Sequence, residues 1–315
     1  MTHRIYLLTA ILICYTGIAL SQTAFQVIPL GVKGGSDESN LSAYLVATKG
    51  TGNYVCLDAG TIHAGLQKAI DRGTIKGTAT DAQKNLIKGY LISHPHLDHL
   101  AGMVITSPED SPKPIYGLPF CLDVLKEKYF SWKSWANFGN EGEKPTLNKY
   151  RYNPLSTENE VPLEQTSMHV KAFDLSHATP GQSTAFLLRD SKNYILYLGD
   201  TGADTIEHSN NLRQLWQQAG PLIKTKQLRA IFIEVSFTNE QPDKSLFGHL
   251  TPRLLMRELA VLDTYSSHAL KGLPIVITHI KPSGDNEVKI KKQLQELNTL
   301  QVKLIYPEQG VMLEF

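Results

Sequence analysis

Apolar positions follow two rhythms along the chain, and the rhythms alternate. Residues 25–30 and 42–47 alternate or run apolar. Tyr54–Leu57 is a short apolar run closed by Asp58-Ala59-Gly60-Thr61, and the run at 89–93 leads straight into His94. Short apolar runs bounded by turn-forming residues predict strands. Between them, residues 63–72 carry helical spacing with Gly73 at their end, and 81–86 predicts a second, short helix. In the second half the pattern predicts strands at 168–175, 183–189, 194–198, 230–235 and 274–278, then a last strand pair at 302–305 and 311–315. It predicts helices at 205–218, 252–262 and 287–297, the middle one capped by Thr251 with Pro252 at its first position. Residues 129–163 are aperiodic and rich in aromatic, Lys, Asn and Glu residues. They read as an insertion or flap, with the aromatic stretch 129–138 a candidate homodimer surface. Strand-rich halves with helices outside them predict an α/β fold, a four-layer αβ/βα sandwich, although element order alone also suits a doubly wound sheet. There is no internal repeat.

The N-terminus breaks the rhythm. After Thr2-His3-Arg4, residues 5–20 are almost wholly apolar and Ala19-Leu20-Ser21 supplies small residues. This pattern predicts a secretory signal peptide at 1–21 and a mature chain at 22–315, exported to the periplasm or beyond. An uncleaved anchor or a buried first helix is the other reading. Ile13 before Cys14 argues against lipidation, and no later segment is apolar enough to span a membrane. Of the two remaining cysteines, Cys56 lies inside an apolar run, and both are expected as buried free thiols. The chain is 42% hydrophobic with a formal net charge of +1, so bulk charge draws it neither to nucleic acid nor to anionic membrane.

The chemistry concentrates in Ser93-His94-Pro95-His96-Leu97-Asp98-His99. His94 and His96 stand two apart in extended chain and point the same way. Paired imidazoles suit a zinc-like ion, while Asp98 and His99, one step on, can face a second. A solvated loop or a single structural metal would use the same residue types. Further candidates each follow an apolar strand: His177, Asp200 and His279. His3, His169, His208 and His268 have no such context. His63 is a candidate for the mouth of the site.

The His-x-His-x-Asp-His run, extended through Gly102-Met103-Val104-Ile105 to Ser107-Pro108, resembles the signature of the class II cyclic-nucleotide phosphodiesterases of the metallo-β-lactamase superfamily. The resemblance continues at Leu57-Asp58-Ala59-Gly60-Thr61, Ser176-His177, Leu198-Gly199-Asp200-Thr201-Gly202, Glu234-Val235-Ser236-Phe237, Leu246-Phe247-Gly248-His249-Leu250 and Thr278-His279-Ile280-Lys281-Pro282. It implies the metallo-β-lactamase-type four-layer sandwich and two divalent metal ions, zinc first, with manganese or iron as alternatives. His94, His96 and His177 would bind one ion, Asp98, His99 and His279 the other, and Asp200 would bridge them. Asp58 would orient a ligand imidazole through its far nitrogen. The implied reaction is hydrolysis of a small cyclic nucleotide, cyclic AMP before cyclic GMP, by hydroxide held between the ions. Glu234 and His249 look like the pair that assists the leaving group in the related tRNA 3′-end-processing endonucleases. With Asp98 they complete the expected catalytic residues. The rivals are a lactonase, thioesterase, β-lactamase or RNA endonuclease on the same fold, and a non-catalytic metal- or nucleotide-binding protein. Asp98 argues against a β-lactamase, and the near-neutral charge against RNA.

Overall fold

The structure, a computed structural model, describes residues 24–315, so the expected leader at 1–21 lies outside the described residues. The first half of the chain gives β1 (Phe25–Gly31), β2 (Ala43–Thr48), β3 (Tyr54–Leu57), α1 (His63–Asp71), α2 (Ala79–Leu86), β4 (Ile87–Leu91), α3 (Leu97–Thr106), β5 (Lys113–Gly117), α4 (Pro119–Val124) and β6 (Tyr150–Pro154). The second gives β7 (Glu160–Pro162), β8 (His169–Ser176), β9 (Gln182–Asp190), β10 (Asn193–Leu198), α5 (Asp204–Glu207), α6 (Asn211–Lys224), β11 (Leu228–Glu234), α7 (Pro252–Tyr265), β12 (Pro274–Thr278), α8 (Asn286–Leu297), β13 (Lys303–Ile305) and β14 (Leu313–Glu314). Two seven-stranded sheets result, ordered β14-β1-β2-β3-β4-β5-β6 and β13-β12-β11-β10-β9-β8-β7.

Side chains alternate between the faces of a strand, so a strand covered on both sides reads as a continuous apolar run. The buried residues show where each face goes. Val27, Val46 and Val55 of the first sheet pack between the sheets with Phe186, Ala230, Phe232 and Val276 of the second. Their neighbours Ile28, Leu45 and Cys56 face outward onto Leu66, Ala82, Leu100 and Met103 of the helices. On the far side, Ile231, Ile233, Ile275 and Ile277 meet Leu215, Trp216, Leu255, Leu259 and Leu294. Three cores separate four layers, helix, sheet, sheet and helix, and this excludes the single doubly wound sheet. Tyr44 links the two sheets, its ring 5.8 Å from that of Tyr197 and 5.6 Å from that of Phe232.

Some expectations needed correction. The helix expected at 205–218 is two helices, broken at His208, which takes a left-handed φ of 53°. The Asp204 carboxylate causes the break by accepting from Ser209 Oγ and from the Leu212 and Arg213 amides, which starts α6 afresh. The last two strands do not pair with each other: β13 joins β12 and β14 joins β1, in different sheets. Nor is 129–163 detached. It supplies β6 and β7, and Phe130, Tyr150 and Tyr152 are buried in the first outer core. Cys56 and Cys121 are buried free thiols. No helix among the described residues is long and apolar enough to cross a membrane.

The topology gathers strand ends. β8 and β10 are both antiparallel to β9, and β10, β11 and β12 are parallel, so four strands of the second sheet finish at one edge. In the first sheet β3 and β4 are parallel and also end together. Ligand sites of α/β sheets form beyond such carboxyl ends.

Candidate active site

Every strand of this group ends in a polar side chain aimed at one place. Asp58 follows β3, His94 follows β4 by a short link, His177 follows β8, Asp200 follows β10, Glu234 ends β11 and His279 follows β12. His96, Asp98 and His99 come from the loop and first turn of α3. The structure brings all of these sequence-predicted residues together, along with His249. Donor atoms lie within 4.8 Å of one another in the groups His94–His96–His177, His94–His99–Asp200 and Asp98–His99–His279. Asp200 is central: its Oδ1 is 3.3 Å from His99 Nε2, and its Oδ2 is 3.1 Å from His279 Nε2 and 3.9 Å from His94 Nε2. His279 Nε2 also lies 3.2 Å from Asp98 Oδ2.

Most charge states suit cation ligation. The exception is His99, where burial disfavours charge but Asp200 and Asp58 outweigh it and raise the pKa well above the usual imidazole value, so a cation at that ring would displace a proton. Burial holds His94 well below the usual imidazole value and, with His177 beside it, lowers His96; burial also lowers His177. These rings therefore keep a lone pair at neutral pH. Burial works against the charged forms of Asp98 and Asp200 as well, but His279 and His99 outweigh it and hold both below the usual carboxylate range. His94 Nε2, His99 Nε2 and Asp200 Oδ1 are buried and form no hydrogen bond. An unpartnered buried polar atom costs about 1–3 kcal/mol, and three of them converging is the signature of a cation site. The nitrogen and carboxylate donors fit divalent ions such as zinc, manganese or iron.

A surrounding layer fixes the ligands. Asp58 Oδ2 is 2.8 Å from His99 Nδ1 and accepts from Tyr197 OH at 2.6 Å, while Asp58 Oδ1 accepts from the Ser93 amide at 2.7 Å. His177 Nδ1 is 2.8 Å from the Gly248 carbonyl oxygen. Gly248 has φ +77°, and a Cβ there would sit 2.0 Å from the Ala178 nitrogen, so only glycine lets this carbonyl reach the ring. Ser236 Oγ donates to Glu234 Oε2 at 2.6 Å and lies 2.9 Å from His279 Nδ1. Gly35 N donates to Asp98 Oδ2.

His249 sits on the rim of this cage. Its Nδ1 is 2.7 Å from Glu234 Oε1 and its Nε2 is 3.0 Å from Lys281 Nζ. Burial opposes charge on the ring, but Glu234 outweighs it and raises the pKa above the usual histidine value. His249 also reaches ligand distance of His177 and Asp200, although it was expected outside the ligand set. Its commitment to Glu234 sets it apart from the rings with free nitrogens. His63 is exposed at the start of α1, His169 lies in β8, His208 lies between α5 and α6, and His268 pairs with Asp263 on the surface.

Sequence reasoning gave no role to Ser93, Tyr197, Ser236 or Lys281. Ser93, Ser236 and Lys281 each stand one or two positions from an expected site residue, the only signal they carry. Tyr197 reads as one more apolar residue of a strand.

Comparison with known proteins bears on the family and the fold. Residues 23–310 match the family described as cAMP phosphodiesterases class-II. A 3′,5′-cyclic-nucleotide phosphodiesterase of Aliivibrio fischeri is 47% identical over 308 residues, covering 93% of each chain. The crystal structure of unliganded yeast PDE1 superposes with a TM-score of 0.79 at 23% identity, covering 93% of this chain and 100% of that one. The metallo-β-lactamase fold protein YhfI of Bacillus subtilis superposes with a TM-score of 0.61 at 15% identity, covering 93% of this chain and 100% of its own.

Proposed function

The chain belongs to the class II cyclic-nucleotide phosphodiesterases, enzymes of the metallo-β-lactamase fold that depend on divalent metal ions, and from that premise we propose how its residues divide the work. The activity is hydrolysis of 3′,5′-cyclic nucleotides to nucleoside 5′-monophosphates, with cyclic AMP the preferred substrate in this reading. His94, His96 and His177 hold one ion, Asp98, His99 and His279 hold the other, and Asp200 serves both. Zinc is the native metal. Two such ions, when bound, supply Lewis-acid stabilisation of the attacking and leaving oxygens of an in-line displacement.

The protein's own groups do the rest. Burial keeps His94, His96 and His177 neutral, and Asp58 fixes which nitrogen of His99 faces inward. In the reaction, a water molecule gives up one proton to solvent and its oxygen bonds to phosphorus. The bond from phosphorus to the 3′-oxygen breaks with its electron pair staying on that oxygen, and the 3′-oxygen takes up a proton from a protein group that solvent then reprotonates. His249 delivers that proton from Nε2, and Glu234 orients the ring through Nδ1. The observation that carries the reading is the trio of buried, unpartnered atoms on His94, His99 and Asp200.

The test is a side-by-side assay of the metal-loaded protein on cyclic AMP, cyclic GMP, bis(p-nitrophenyl) phosphate, nitrocefin and a thioester, together with metal analysis. Turnover of nitrocefin or the thioester with none of the cyclic nucleotides would sink the reading. His249→Ala is expected to lower turnover with metal content near native; loss of metal would make His249 a ligand instead. The apolar segment at 5–20 supports export as part of the proposal, and N-terminal sequencing should find cleavage after about Ser21.

A further inference from the structure

Lys281 lies at the mouth of the cage and has no role in the scheme above. Its backbone is fixed. It follows the left-handed turn at His279, where φ is 56°, and its amide donates to the Ser236 carbonyl oxygen at 3.4 Å. Its stem packs beneath Gly35, where an added Cβ would lie 3.8 Å from Lys281 Cγ. Its ammonium faces the Phe237 ring at 4.9 Å and His249 Nε2 at 3.0 Å, neither of them an anion. An ammonium has three N–H donors and no lone pair. A neutral imidazole accepts one of them at Nε2, and an imidazole protonated at Nε2, as delivery of a proton to the leaving group requires, accepts none. At least two donors of a cation are thus left facing a site built for a phosphodiester.

We propose that Lys281 is a substrate-contacting residue whose ammonium takes an exocyclic phosphoryl oxygen of the cyclic nucleotide. This inference rests on the phosphodiesterase reading and deepens it. A cyclic phosphodiester carries one negative charge, and addition of hydroxide at phosphorus brings a second. A fixed cation beside that oxygen therefore binds the transition state more strongly than the ground state. Phe237 covers one side of the ammonium and limits its hydration, which strengthens the contact. The chemical class recognised is the phosphoryl group itself, so the effect of Lys281 should be indifferent to the base and to the leaving group.

The experiment compares Lys281→Met and Lys281→Arg with the native metal-loaded protein. Lys281→Met should lose about 10²-fold in kcat/KM, the scale of one transition-state donor. The loss should be equal on cyclic AMP and bis(p-nitrophenyl) phosphate, since both present the same phosphoryl oxygens. Metal content and melting midpoint should stay native, 5′-AMP should bind roughly tenfold more weakly by calorimetry, and Lys281→Arg should recover most of both losses. Native-like rates in Lys281→Met overturn the proposal. A loss confined to cyclic AMP also overturns it, because Lys281 would then act on the leaving group through His249, and so does a loss that follows missing metal. If the native protein cleaves only the p-nitrophenyl diester, the substrate reading fails while the Lys281 comparison still stands on that diester. If it cleaves neither, 5′-AMP binding decides.

Discussion

One fully buried carboxylate sets the tautomers of two histidines. Asp58 accepts from the Ser93 amide and hydroxyl and from Tyr197 OH, and it faces His99 Nδ1. Because the Ser93 hydroxyl hydrogen goes to Asp58, the His94 Nδ1 lying 3.0 Å from that oxygen must donate to it. His94 then turns a bare Nε2 inward, and His99, held at Nδ1 by Asp58, turns its Nε2 toward Asp200 Oδ1. Asp58→Asn puts an NH₂ among these donors, and metal affinity is expected to fall about 10–100-fold. Competition with a chelator at fixed free zinc measures this, and native affinity in the variant would refute it. Away from the cage, burial raises the Glu258 carboxyl above its ordinary 4.5. Its oxygens accept from the Asp204 amide and Trp216 Nε1. A raised acid favours the fold when protonated, so the contribution is complete below about pH 4.5 and is lost as pH rises through the folded value. Glu258→Gln should remove that loss. The stability difference, variant minus native, should grow as pH rises above 4.5 in urea titrations, and a difference constant with pH would count against it.

Among elements, the most demanding junction is the buried Lys113–Asp110 pair, 2.7 Å apart, which ties α2, β4, β5 and β6 together. Lys113 also donates to the Gln83 carbonyl oxygen, and Asp110 accepts from Tyr90 OH and Tyr150 OH. Lys113→Met strands the carboxylate, and unfolding in urea should register a loss of about 3–5 kcal/mol. Adding Asp110→Asn should restore part of it, since an amide oxygen still accepts from a tyrosine. A single-variant cost below about 1 kcal/mol would show that the pair matters little. This junction was not legible in the sequence, where Lys113 falls in a stretch with no strand signal and Asp110 in a Pro- and Ser-rich turn. By contrast α7 was legible, because Thr251 accepts from the Leu254 amide and Pro252 occupies the first turn. Such caps act within one turn of chain. Three of the failures share one physical origin, since β13, β14 and β6 depend on partners far away in sequence, whereas β7 pairs with the next strand β8 and the break at His208 comes from the nearby Asp204 carboxylate.

For the molecule as a whole, the cage joins two halves that also meet through the central apolar core and through the pairing of β14 with β1. His94, His96, Asp98 and His99 belong to the first half, and His177, Asp200 and His279 to the second. The first group was legible because its spacing is local. The second became a set only through the shared direction of β8, β10 and β12, which no spacing encodes. Ser236 and Lys281 stayed hidden because only the folded chain brings Ser236 Oγ to His279 Nδ1 and Lys281 Nζ to His249 Nε2. A ligand set divided between halves couples cation binding to global folding. Ions held only by the folded chain stabilise it by about 4 kcal/mol per site at a thousandfold excess over the dissociation constant. For a chain of this length that corresponds to a melting shift on the order of 10 °C. Chelation should therefore lower the native midpoint by at least this much, and added zinc should restore it. Asp200→Asn, which weakens both halves of the cage at once, should melt near the chelated native value and respond little to chelator. If chelation leaves the native midpoint unmoved, the cations are not part of what holds the two halves in register, and the cage must be closed by its own hydrogen bonds.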